Sequence, residues 1–545
     1  MPNSIKHSDS AQTDALGVGD MHIGVGGKGP TSSTGFYTGI NPPSGGYTVY
    51  YNKASGGPSI TTKANDAALI AEANGVSGES MSTIAEVLVY YAGQSDKMVM
   101  HNPINGLVIN NLSSFYAPGA VSSYPRSGTT LYDLSGNAKN GTLTNSPTFN
   151  SNGYMDLDGV DDFISIDTYT FGNGNWTVSM VVNADNITVS NLLSNTSGGP
   201  VTNAFGFASS KIHYRNYDGA WQTHNGNTTL STGRWYNLTW VNYAGDQAST
   251  GTMKMYVDGV ADSSEFNSYA TNGGPCNAIG SNWFSKFNGR IASTKFYTKS
   301  LTDAEILQNY YKGSLVTDNL VFAADAGNLV SYENSETTTY SLTGSYDATL
   351  TNGVDFVNSN GGFWDFDGVD DYIEIPYDSY WNTNVFGEAK NFTIMCWTKC
   401  DNFYNWSSMI HKDNGSGWYS STEGAALWAN AGGFQAVFGS GNSGNPSGWG
   451  FVISYATSNT TDWFHLAFTG DGTTGRFYVN GVEETTAALS SRSATVNTST
   501  NPVRFGVRAG SANYNGKITQ PLLYDRGLTA AEVQQNYNAT VNKFN

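Results

Sequence analysis

The chain has 545 residues and a formal net charge of −18, with 39% hydrophobic, 13% aromatic and only 13% charged residues. The aromatic content excludes a disordered chain, and the length suggests about three domains. An acidic chain with no basic cluster cannot displace phosphate counterions, which argues against a nucleic-acid partner, and no apolar run approaches the roughly 18 residues of a membrane-spanning helix.

Residues 1–45 are rich in Gly, Ser and Thr and contain Asn41-Pro42-Pro43, the texture of an extended, loop-rich arm. Gly24-Val25-Gly26-Gly27-Lys28 does not complete a phosphate-binding loop and reads as a glycine-rich linker. Residues 46–105 read as a small α+β module. Tyr47-Thr48-Val49-Tyr50-Tyr51 is a strand candidate. Asn65 can cap a short helix over 65–72, and Ser82 or Thr83 a second over 83–92 with Ile84, Val87, Leu88 and Tyr91 on one stripe.

The rest of the chain is an internal duplication. LDGVDDFISI at 157–166 recurs as FDGVDDYIEI at 366–375, and RWYNLTWV at 234–241 as DWFHLAFT at 462–469. MYVDGV at 255–260 recurs as FYVNGV at 477–482, and FNGRIASTKFYTKSLTDAEILQNY at 287–310 as YNGKITQPLLYDRGLTAAEVQQNY at 514–537. Four blocks in one order at a period of about 210–230 residues mean duplicated domains, over 106–313 and 314–545. Inside each copy the pattern is β. Residues 176–182 and 392–397 are β-branched and bulky, as strands require. Asp258-Gly259 and Asn480-Gly481 stand between apolar residues and accept the positive φ of a two-residue hairpin turn. Each copy closes on a short helix opened by a capping box, Thr302 with Glu305 and Thr529 with Glu532. Ile306 with Tyr310, and Val533 with Tyr537, share the helix face that packs inward.

Chemistry-bearing residues are sparse. Cys396 and Cys400 lie in one strand, about 13 Å apart at the usual rise, too far for a bridge. Cys276 has no evident mate, so all three read as buried thiols. The seven histidines show no zinc spacing, and no nucleophile elbow occurs. Glu483-Glu484 follows a hairpin and reads as solvated. With no alternating carboxylate motif for glycoside cleavage, the chain is expected not to be an enzyme. Asp158 and Asp367 open the DGVDD segments. Each aspartate there suits a turn in which it accepts local amides, and Ca²⁺ ligation is the alternative. Asp161 and Asp162, adjacent in a regular strand, would point to opposite faces and could not serve one site. Trp221, Trp283, Trp406, Trp418 and Trp428 lie in Gly/Asn/Ser-rich contexts, where exposed aromatics can hold a pyranose ring or pack loops onto the body.

The repeated blocks resemble the laminin-G-like (concanavalin-A-like) jelly-roll family. The resemblance rests on Asp133-Leu134-Ser135-Gly136-Asn137, Asn140-Gly141-Thr142-Leu143, the two DGVDD segments, Trp463-Phe464-His465, and Gly289-Arg290-Ile291 with Gly516-Lys517-Ile518. The second copy departs from the first of these patterns, with Ser341-Leu342-Thr343-Gly344 in its place. The resemblance implies a mainly β chain: two tandem jelly-roll sandwiches behind a small α+β N-terminal module. It also implies calcium at a sandwich rim in some members. With its low-charge texture and GGYTVYYNKASGGPSI at 45–60, the chain is similar to virion structural proteins of tailed phages. A head decoration, neck or fibre protein is therefore expected, anchored to other virion proteins through residues 1–105 and made in the host cytoplasm without a signal peptide. A carbohydrate-binding adhesin on host glycans is the alternative, and a polysaccharide-degrading enzyme the third reading. Head, neck or tail location and a homo-oligomeric state stay open.

Overall fold

The computed structural model describes residues 22–23, 47–51, 59–63, 71, 97–101 and 107–544, except 121, 173, 196–202, 218–219, 248–249, 264, 269–274, 281–284, 335, 359–360, 388, 404–406, 413–424, 439–450, 490–499 and 509–511. The chain divides between Gly313 and Ser314 into two compact units.

In the N-terminal part, four antiparallel strands form one sheet in the order His22–Ile23, Lys97–His101, Tyr47–Tyr51, Ser59–Lys63. The strand expected over 47–51 is therefore present. His22–Ile23 is a strand inside the stretch expected to be an extended arm, because its backbone pairs with Val99 and Met100. The helix expected over 83–92 lies outside the described residues, as does the one over 65–72 apart from the helical Ala71.

The first jelly roll packs an eight-stranded sheet on a nine-stranded one. The eight-stranded sheet runs Trp221–Asn225, Lys211–Tyr217, Asn203–Ala208, Val189–Ser194, Pro275–Ile279, Phe163–Thr170, Gly141–Thr144, Thr130–Leu131. The second jelly roll has the same path: Phe451–Ala456, Gly433–Phe438, Ala425–Asn430, Ser407–Lys412, Val503–Phe505, Tyr372–Ile375, Ala348–Thr351, Thr338–Thr339. A bulge falls at the equivalent place in each, between Asn191 and Leu193 and between Ser408 and Ile410. Alternation sorts the side chains. Ile164, Leu193, Phe205 and Ile212 of the first sheet meet Met155, Val178, Leu238 and Met255 of its partner in one core. Each large apolar side chain buried there contributes roughly 1.5–3 kcal/mol. Trp240 is fully buried and its Nε1 donates to the His213 carbonyl at 3.0 Å, tying the two sheets together.

The two hairpin turns are as expected. Asp258 and Gly259 have φ of 51° and 80°, and Asn480 and Gly481 of 52° and 79°. Both closing helices, α1 (Asp303–Tyr311) and α2 (Ala530–Thr540), start with complete capping boxes. A buried asparagine fastens each helix. Asn309 accepts from Val108 N at 2.8 Å and donates to Tyr297 Oη at 3.0 Å, and that hydroxyl donates to the Val108 carbonyl. Asn536, Val316 and Tyr524 repeat the arrangement at 2.8, 2.9 and 2.8 Å. A buried amide or carbonyl without a partner costs about 1–3 kcal/mol, so these asparagines fix where the helix sits as well as holding it. Trp235 packs on Tyr154 and Trp463 on Phe363, ring centroids 5.3 and 5.2 Å apart, at equivalent positions. Cys276, Cys396 and Cys400 are buried free thiols, and burial raises the Cys400 thiol to about 11, where it is inert.

Candidate functional site: two rim turns and two outer sheet faces

Each DGVDD segment leaves its strand at the first aspartate and turns. Gly159 and Gly368 have φ of 71° and 78°, and a Cβ there would lie 2.6–2.7 Å from the Cβ of Asn288 or Asn515. Asp158 Oδ1 accepts from Val160 N at 2.8 Å, and Asp367 Oδ1 from Val369 N at 2.7 Å. The Val160 amide bond, chief among several local ones, holds the Asp158 carboxyl below its ordinary value. Asn145 and Asn352 pin the turns from outside, donating to the carbonyls of Asp161 and Asp370 at 2.8 and 3.0 Å. The turn reading of Asp158 and Asp367 is thus realised.

The objection to a shared site is corrected. Residues 159–162 are not regular strand, so Asp158, Asp161 and Asp162 bring carboxylate oxygens within 4.8 Å of one another, as do Asp367, Asp370 and Asp371. Burial, with Asp367 and Asp370 beside it, lifts Asp371 to about 6, and burial also raises Asp162. Self-repelling oxygens of this kind suit a hard divalent cation, and three carboxylates supply part of the 6–8 oxygens calcium takes.

Of the five candidate platform tryptophans, Trp428 alone has a described side chain, and it is not exposed. Trp428 lies in the strand Ala425–Asn430, not in a loop, and is fully buried. Its neighbours Ala425, Leu427 and Ala429 face the core, so Trp428 stands on the outer face, packed with Ala426 and Val437 beside the His411 ring at 6.1 Å. An indole with no exposed surface cannot stack on a sugar. Trp221 begins the strand Trp221–Asn225, where its side chain is not described, and Trp283, Trp406 and Trp418 lie outside the described residues. Glu483 and Glu484 are exposed, as expected.

Polar side chains gather instead on the face of each eight-stranded sheet turned away from the core. In the first jelly roll His213 pairs across strands with Asn225, and its Nδ1 lies 2.8 Å from Asn225 Oδ1. Burial pushes this imidazole below its ordinary value, and in the neutral ring Nδ1–H donates to Asn225 Oδ1, which leaves Nε2 as an acceptor. Arg215 and Thr223 form the next pair on the same face, and Asn191 Nδ2 donates to Ser285 Oγ at 2.7 Å. Sequence reading missed this face. Its only trace is the period-2 alternation of Lys211-Ile212-His213-Tyr214-Arg215, with Ile212 and Tyr214 in the core.

A family model described as the concanavalin A-like lectin/glucanases superfamily matches residues 158–307 and 367–534. No curated protein matches the chain. Among similar solved structures is domain 4 of a GH43 extracellular arabinanase from Geobacillus stearothermophilus, in complex with arabinotriose. It is 16% identical over 40% of this chain and 98% of that one, with a TM-score of 0.31. The sialidase of Trypanosoma rangeli is 12% identical over 75% of this chain and 67% of its own, TM-score 0.31. Domains LG4-5 of the mouse laminin alpha1 chain are 11% identical over 68% and 95%, TM-score 0.25. These likenesses bear on fold alone. The expectation that the chain is not an enzyme does not stand, since a GH43 arabinanase and a sialidase are among the solved structures similar to it.

Proposed function

The chain belongs to the concanavalin A-like lectin/glucanases superfamily, and on that premise we propose that it is a surface-display protein whose two jelly rolls bind saccharide. The observation that carries this is the polar outer face of the first eight-stranded sheet. There His213, Asn225, Arg215 and Thr223 set donors and acceptors side by side on a rigid sheet. Sugar hydroxyls both donate and accept, so a mixed array on a fixed backbone recognises them at low entropic cost. A glycan array probed with the intact chain tests it: reproducible binding to a defined set of glycans is expected, and an array without signal would end this reading.

The carrier in this proposal is a tailed-phage virion, with the protein as a head decoration, neck or fibre component attached through residues 1–105. Support comes from the low-charge, Gly/Ser/Thr/Asn-rich composition and from the four-stranded sheet that precedes the jelly rolls in the chain. A truncation starting at Gly106 is expected to stay soluble and to be missing from assembled particles. Its presence on particles at normal copy number would defeat the attachment role. In the same proposal the acidic turns at Asp158 and Asp367 take up Ca²⁺ as a stabilising ion. Excess Ca²⁺ is then expected to raise the melting temperature over chelator, and unchanged curves would remove the ion.

A further inference from the structure

We infer that Tyr372, Glu374 and Arg504, on the outer sheet face of the second jelly roll, form a recognition site for two adjacent hydroxyls of a neutral saccharide, a site the first jelly roll lacks. The inference rests on the reading that the jelly rolls bind saccharide.

Placement comes first. Ile373, Ile375, Val503 and Phe505 point into the core, so the residues alternating with them, Tyr372, Glu374 and Arg504, lie on the other face. Glu374 and Arg504 are directly opposed across neighbouring strands. Arg504 Nε donates to Glu374 Oε2 at 2.8 Å, and the guanidinium carbon sits 5.3 Å from the centre of the Tyr372 ring. The two charged side chains keep 27% and 30% of their surface exposed.

Unused hydrogen-bonding capacity comes second. Among the described residues the Arg504 Nη groups, Glu374 Oε1 and the Tyr372 hydroxyl make no further hydrogen bond. A fixed pair of donors therefore stands beside a fixed acceptor. Two neighbouring ring hydroxyls match that pattern: one accepts from the guanidinium, the other donates to the carboxylate. Both bonds are charge-assisted, hence about twice as strong as neutral ones. Glutamate and tyrosine already hold the arginine, so little rotamer freedom is lost on binding. The charges cancel within the pair, and Glu374 repels a carboxylate, so neutral sugars are favoured over uronates.

The duplication supplies the contrast. The same register in the first jelly roll holds Phe163, Ser165 and Ala278, which offer neither a cation nor a carboxylate. The plain alternative is a cross-strand ion pair that adds about 0.2–1 kcal/mol to the sheet and binds nothing.

The test is a glycan array of neutral and uronate-bearing oligosaccharides, probed with the intact chain and with Arg504→Ala, Arg504→Lys, Glu374→Ala and the first-roll control Ser165→Ala. Melting temperature is followed in parallel to show that each variant is folded. The expected result is at least a tenfold weaker signal for a subset of neutral glycans with all three second-roll variants, and the parent pattern with Ser165→Ala. Loss with Arg504→Lys excludes the plain ion-pair role, since lysine keeps the charge but not the fork. A parent that binds neutral glycans, with variants that keep its full pattern, overturns the site and leaves the saccharide reading intact. A parent that binds only uronates also overturns it. A parent that binds no glycan overturns the reading beneath it as well.

Discussion

The first and second jelly rolls share a frame and differ on one face. Both keep the positive-φ hairpin, the capping box, the Asn–Tyr lock of the closing helix and the asparagine-pinned DGVDD turn. On the outer face of the eight-stranded sheet, by contrast, Ser165, Ala278, Gly206 and His213 of the first stand where the second has Glu374, Arg504, Trp428 and Gln435. The first set of positions satisfies buried backbone groups or strained φ values, and few residues can replace those that do. The outer-face positions lie outside the core between the two sheets, so they can vary while the frame is kept, and the proposed recognition is placed there.

The largest effects should be equal in the two copies. Asn309→Ala and Asn536→Ala each strip a partner from a buried amide and a buried tyrosine hydroxyl. A loss of about 2–4 kcal/mol is expected from each, read by urea unfolding. A loss in one copy alone would break the shared-frame comparison.

Buried ionisable groups sharpen the contrast. Lys295 is 3% exposed, with its Nζ 3.4 Å from Ser293 Oγ and no carboxylate partner among the described residues. Burial depresses its pKa to about 7, and the second copy has Leu522 at this register. With the folded pKa below the unfolded one, the destabilisation is fully present below about pH 7 and disappears above the unfolded value near 10.4. Lys295→Leu is expected to stabilise the first copy by roughly 2–3 kcal/mol at pH 7 and by less at pH 10, and no gain at pH 7 would refute the cost of this charge.

His465 and Asp258 should respond to acid in opposite directions. His465 is packed between Trp397 and Tyr537, and burial holds it down at about 3. Its neutral form is favoured in the folded state, so stability falls as pH drops from about 6.5 toward 3. His465→Asn, the residue of the first copy at Asn237, should lose packing at pH 8 yet be about 1–2 kcal/mol less acid-sensitive at pH 5. Asp258 is raised to about 7 by burial, so the folded state holds its proton and stability falls as pH rises from about 4 to 7. Asn480 fills the same turn position and still accepts from His465 N at 2.9 Å. Asp258→Asn should therefore add about 1 kcal/mol at pH 8, after discounting for solvent screening, and nothing at pH 4. Melting temperatures across pH check both, and parallel pH curves for parent and variant would refute either one.

The sequence made the frame legible because its signals are local. Asp258-Gly259, Thr302 with Glu305, and the ordered repeat blocks each state a backbone requirement within a few residues. The outer faces were not legible, since they are built from residues far apart in sequence. Glu374 and Arg504 meet only through strand register, and Gly/Asn/Ser surroundings suggested a loop for Trp428, which is a buried strand residue. The DGVDD aspartates misled in the other direction: the strand assumed for Asp161 and Asp162 gives way to a turn, which gathers the carboxylates.

The most direct test of one frame bearing two recognition faces is a single glycan array run with the intact chain, with Asn225→Ala, at the exposed partner of His213, in the first jelly roll and with Arg504→Ala in the second. The expected result is that each variant loses a different subset of the glycans the parent binds while both melt as the parent does. Loss of the same subset by both variants, or of none by either, would contradict it.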